Sequence, residues 1–209
     1  MKTILLLAAC AAALSGCAGT QIAVRAHSDR SSSTGARTYA FADDSGAASG
    51  DRREDFVSAV GHRLAELGFT SVPAPAARYR IALSQETRPA SVGIAYTDCA
   101  DGAPCGAPSV APGFEWPGAT PYLHSLTLRF FDAKDGREAY KVSAAKRDRD
   151  RDVKRDIDDL VAGALARFPF DDRDGGTGDL AATSDWKVTL NKPQADGAPR
   201  VTGIAPLKH

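Results

Sequence analysis

The chain has 209 residues, and 26 lysines and arginines balance 26 aspartates and glutamates for a formal net charge of zero. That length, less a leader, suffices for one domain with a sizeable core and falls short of two. Overall neutrality argues against nucleic acid as a partner and against a generalised anionic-lipid surface.

Lys2 gives a positive start, Ile4 to Leu14 run without a charge, and Ser15-Gly16 are the small residues a signal peptidase needs. An apolar run of about ten residues is half the roughly twenty that cross a hydrocarbon core. The sequence therefore predicts a removable signal over 1–16 and no permanent spanning helix. Leu14-Ser15-Gly16-Cys17 resembles the bacterial lipobox. The resemblance implies diacylglycerol on the Cys17 thiol, cleavage before it, and a palmitate-type acylated N-terminus over 17–19. The bilayer is then a partner through Cys17, held by several acyl chains at about 0.8 kcal/mol per buried methylene. The competing reading is an ordinary secretion signal, cleaved elsewhere, with Cys17 a bystander. Ala18, standing where Asp would retain a lipoprotein at the inner membrane, implies by the Gram-negative sorting rule an outer-membrane, periplasm-facing location. Cys10 falls inside the signal and has no mature role.

Beyond the signal, Ile22, Val24 and Ala26 alternate with polar neighbours over 21–26, and Tyr39 and Phe41 do so over 38–42, which predicts two half-buried strands. Phe56, Val60, Leu64 and Leu67 are spaced as one face of a helix over 51–67, with Gly68 placed to stop it. Tyr79, Ile81 and Leu83 mark a third strand over 78–85. Residues 87–122 hold six prolines and five glycines without a period, longer than an ordinary connection in a compact domain.

That loop contains Cys99 and Cys105, which in an oxidising periplasm form a candidate disulfide. Free thiols are the alternative. A metal site would want closer cysteine pairing and a second ligand pair, and His27, His62, His124 and His209 are scattered, so neither metal nor cofactor is expected. Phe114 and Trp116 also lie there, outside any core period, and form a candidate partner-binding loop. Equally, both rings could fold back to cap an uncovered sheet face.

Alternation returns over 124–132 and 138–145, and Asp135-Gly136 between them predicts an antiparallel hairpin. Val153, Ile157, Leu160, Val161, Ala164, Leu165 and Phe168 predict a second helix over 150–168, ended by Pro169. The alternating charges of 146–156 read as its solvated start and approach. Residues 171–179 look like a calcium loop, but the EF-hand register would need a ligand at Phe170, so a flexible acidic loop is expected. Trp186, Val188 and Leu190 then alternate, with a weaker strand over 200–204. This extension, 171–209, either pairs as an extra hairpin or stays loose.

Short hairpins with only two helices exclude a wholly parallel sheet. The expected class is α+β, a two-layer sandwich with a mainly antiparallel sheet and both helices on one face. Thr38-Tyr39-Ala40-Phe41 after an early strand, the helix end Leu67-Gly68-Phe69, and Ala166-Arg167-Phe168-Pro169 together resemble bacterial lipoproteins of the domain of unknown function 4136 family. The resemblance covers about 20–170 and implies a single α+β envelope domain, with no catalytic set to carry over. Phe41 stands where that family often has Trp, and 171–209 extend past its usual end.

No Gly-x-Ser-x-Gly elbow, His-Glu-x-x-His pair or phosphate-cradling glycine loop occurs in the sequence. The expected role is a non-enzymatic interaction or envelope-maintenance module with an envelope protein partner. The alternatives are a binder of a small apolar or glycan ligand between helices and sheet, and a hydrolase in which His124 pairs with Asp132 or Glu86.

Overall fold

A computed structural model describes residues 19–28, 36–42, 52–90, 121–168, 183–191 and 197–207. The strands are β1 (Thr20–Ser28), β2 (Thr38–Phe41), β3 (Thr70–Ser71), β4 (Tyr79–Pro89), β5 (Tyr122–Asp132), β6 (Glu138–Asp148), β7 (Thr183–Leu190) and β8 (Val201–Pro206), with helices α1 (Arg53–Glu66) and α2 (Ile157–Ala164). They form one mixed sheet in the order β3-β2-β4-β5-β6-β1-β7-β8, an α+β fold with a sheet-dominated core.

β2 runs parallel to β3 and β4, and every other pairing is antiparallel. The β5–β6 hairpin turns through Gly136 at φ 70°, a conformation open to glycine without a Cβ penalty. Successive side chains of a strand point to opposite faces, so the register sorts them across the whole sheet. Ile81, Leu83, Leu126, Leu128, Val142, Ala144, Val24, Ala26 and Trp186 are buried on one face. They share a single buried cluster with Phe56, Val60 and Leu64 of α1 and Leu160 and Val161 of α2.

α1 ends as its sequence requires. Gly68, at φ 80°, lets its own N–H reach the Ala65 carbonyl at 3.0 Å and the Phe69 N–H reach the Leu64 carbonyl at 2.9 Å. This pair of hydrogen bonds satisfies two helix-end carbonyls and turns Phe69 into the core. There the Phe168 ring lies 5.1 Å from Phe69, 4.8 Å from Phe130 and 5.1 Å from Tyr140.

Two expectations need correction. The helix predicted over 150–168 is instead a 3-10 turn, Val153–Asp156, followed by the eight-residue α2, with turns at 165–167. The cause is the alternating aspartates. Asp148, Asp150 and Asp152 each accept the backbone N–H two residues onward, at 2.8, 2.9 and 2.9 Å, and hold the chain in successive turns. The proline-rich loop is narrower than 87–122, because β4 extends to Pro89 and β5 starts at Tyr122. Of the two alternatives for the extension, its described residues form the hairpin: β8 pairs with β7, and β7 lies along β1 with Trp186, Val188 and Leu190 buried.

Candidate functional site

At one end of the buried face, β5 and β6 carry polar side chains where the alternation would place apolar ones. His124 is 0% exposed and stands opposite Lys146 in the register. Its Nε2 lies 2.9 Å from the Asp150 carbonyl oxygen, which can only accept, so Nε2 carries a proton. In the neutral ring Nδ1 then accepts the Thr87 hydroxyl hydrogen at 2.9 Å. The imidazole thereby pins the chain of aspartate turns to β4 and β5.

The Lys146 ammonium donates to Asp156 and to Asp159, both at 2.6 Å. The two carboxylates are buried, one at the end of the 3-10 turn and one in the first turn of α2. Burial pushes the Asp156 carboxyl above its ordinary range, and the Lys146 hydrogen bond and charge only partly offset this. Burial pulls the Lys146 ammonium down, and the hydrogen bonds and charges of both aspartates outweigh that pull, so it sits above its ordinary value. The second oxygen of Asp156 has no hydrogen-bond partner and lies 3.6 Å from His124 Nε2, beyond hydrogen-bond length. The ammonium occupies the point between two carboxylates where a cation would be held. Among the described residues, no three metal-ligating groups come together.

The opposite face of the sheet is polar and open. Arg25 pairs with Asp185 across β1 and β7, and Arg129 with Glu138 across β5 and β6. Outside these two pairs, Arg80, Arg88, Lys141, Arg147 and Lys187 share that face with Glu86, five cations against one acid. A groove of about 730 Å³ crosses it between Gly19, Ala23, Leu123, Ala145, Arg147 and Lys187. The cross-strand row Ser125, Ala145, Ala23, Lys187 explains the depression, since two alanines occupy its centre.

The predicted site residues fall as follows. Cys17, Cys99, Cys105, Phe114 and Trp116 lie outside the described residues. His124 does not meet Asp132 or Glu86: its ring partners are Thr87 and Asp150, and Glu86 belongs to the open face. The run 146–156 is no wholly solvated strip, because Lys146 and Asp156 are drawn inside. The aromatic side chains between strands and helices pack on one another, while the groove lies on the other face. Sequence reasoning missed the Lys146 pairings, although Asp156 and Asp159 stand three apart on the apolar stripe of residues 153 to 164. It also missed the basic face, since neutrality of the whole chain conceals charge separated by the register.

No described helix is long and apolar enough to cross a membrane. No family model matches the sequence, and no curated protein matches it. Among solved structures, a PDZ domain protein from Parabacteroides distasonis is similar at 15% identity and a TM-score of 0.45. The match covers 89% of this chain, which spans 43% of that protein's length. The PelC dodecamer from Paraburkholderia phytofirmans is similar at 14% identity and a TM-score of 0.42, over 69% of this chain and 95% of that one.

Proposed function

We propose that the chain is an outer-membrane lipoprotein of the domain of unknown function 4136 type, acylated on Cys17, whose folded part faces the periplasm as a non-enzymatic interaction or envelope-maintenance module. The observation that carries this reading is the position of β1. It starts at Thr20, three residues after Cys17, so an acyl anchor there would hold the sheet directly against the bilayer. The finer architecture belongs to the same reading: a two-layer sandwich, supported by the core cluster that both helices share with one sheet face. The open face and the 91–120 segment with Phe114 and Trp116 are its contact surfaces.

Intact mass spectrometry tests the anchor. The mature chain should begin at Cys17 with diacylglycerol and acyl additions, and Cys17→Ala should yield an unprocessed or soluble product. An unmodified N-terminus at another residue rejects the anchor. For the contact loop, Phe114→Ala with Trp116→Ala should abolish co-purification of an envelope partner; unchanged recovery removes the loop from the interface.

A further inference from the structure

We propose that the open sheet face docks on anionic phospholipid headgroups, with the groove between Arg147 and Lys187 as its centre. Part of the geometry rests on the lipoprotein reading, because it uses the tether at Cys17. Gly19 lines the groove, and two residues of chain reach at most about 7 Å. An anchored Cys17 would therefore keep the groove next to the headgroup layer, whichever way the rest of the protein leans.

The charge of the face is the independent observation. The ion pairs among the described residues include none of Arg80, Arg88, Lys141, Arg147 and Lys187. Arg80, Arg88, Lys141 and Arg147 are exposed and Lys187 is half-buried at the groove wall. Exposed cations attract an anionic bilayer only when they lie within a screening length of about 8 Å. Arg88, Arg147 and Lys187 stand on the strands that flank the groove, Arg80 and Lys141 extend the same face, and Glu86 is the one acid on it outside the two cross-strand pairs. The floor, Ala23 and Ala145 with Leu123 at its edge, offers small apolar groups that let a phosphate approach both Arg147 and Lys187. An acidic protein would be attracted by the same charge. The bilayer is favoured because Gly19, two residues from the proposed anchor, lines this groove.

The test is lysine footprinting of the full chain on vesicles of neutral phosphatidylcholine and of phosphatidylcholine with phosphatidylglycerol, using a water-soluble acetylating reagent. Acetylation of Lys187 and Lys141 should fall several-fold on the anionic vesicles, while Lys134 and Lys154, away from this face, stay constant. Salt at about 1 M, where the screening length is ~3 Å, should restore it. Arg147→Glu should weaken the protection by at least the roughly fivefold that one lost cation implies. Equal labelling of Lys187 on both vesicles overturns the proposal, as does protection that appears only in native envelopes, which would mark an acidic protein partner. Intact mass of the same preparation separates the two readings. A chain without acyl mass that still shows lipid-dependent protection rejects the tether alone, and an acylated chain without protection rejects the docking alone.

Discussion

Gly163 of α2 lies so close to Ile22 of β1 that a Cβ added at the glycine would stand 2.7 Å from the isoleucine Cγ2 and 3.1 Å from its Cβ. Ile22 is 0% exposed and held between β6 and β7, so it has no free space to yield into. Helix propensity alone predicts that Gly163→Ala stabilises by about 1 kcal/mol. Overpacking predicts a loss of about 1–3 kcal/mol, and here it outweighs the propensity gain. Urea unfolding should show a lower midpoint for Gly163→Ala. Its cost should shrink in an Ile22→Ala background, and an additive pair would disprove the contact.

Lys146→Met should destabilise by about 3 kcal/mol, because it leaves the carboxylates of Asp156 and Asp159 buried without their cation. Adding Asp156→Asn and Asp159→Asn to that variant should recover part of the loss. If Lys146→Met unfolds at the wild-type midpoint, the buried pairing contributes nothing.

The same cluster gives stability a pH dependence of definite sign. The Lys146 value is raised above its ordinary 10.5 in the folded chain, so its contribution is complete below that pH and is lost as pH rises through the folded value. For Asp156, also raised, the folded state holds the proton more tightly. Its contribution is present at acid pH and is lost as pH rises from the ordinary 3.8 through the raised value. Denaturation midpoints measured above pH 10 should therefore fall for the wild type and fall less for Lys146→Met, and Asp156→Asn should flatten the weakly acidic limb. Parallel curves for all three would refute this assignment.

Trp186 is 2% exposed on β7, and Trp186→Ala should cost about 3–5 kcal/mol. A cost below about 0.5 kcal/mol, as is usual at surface positions, would show that the tail adds nothing to the core.

Much of this fold is legible in the sequence where one local rule acts alone. Ile22, Val24 and Ala26 reveal β1 by alternation, and Leu67-Gly68-Phe69 reveals the end of α1 because only the glycine accepts the required φ. The second helix is overread because two local rules compete. Val153 and Ile157 stand four apart, as on one helix face, and extend the apparent helix backward, but the side chains of Asp148, Asp150 and Asp152 take the backbone donors first. The buried cluster is illegible for another reason: Lys146 meets Asp156 and Asp159 only once the chain has turned between β6 and α2. The basic face needs the pairing of five strands before Arg88, Arg147 and Lys187 can be seen to share a side.

β1 is the first described strand along the chain, yet it lies inside the sheet with β6 on one edge and β7 on the other. The Arg25–Asp185 pair spans 160 positions of sequence. A chain emerging from a ribosome or a membrane pore N-terminus first therefore carries β1 with neither neighbour until residue 138, and with only one until residue 183. Such long-range pairing folds slowly and closes late. β1 thus stays threadable until its partners follow, and its place in the sheet locks only once β7, from Thr183 onward, has arrived.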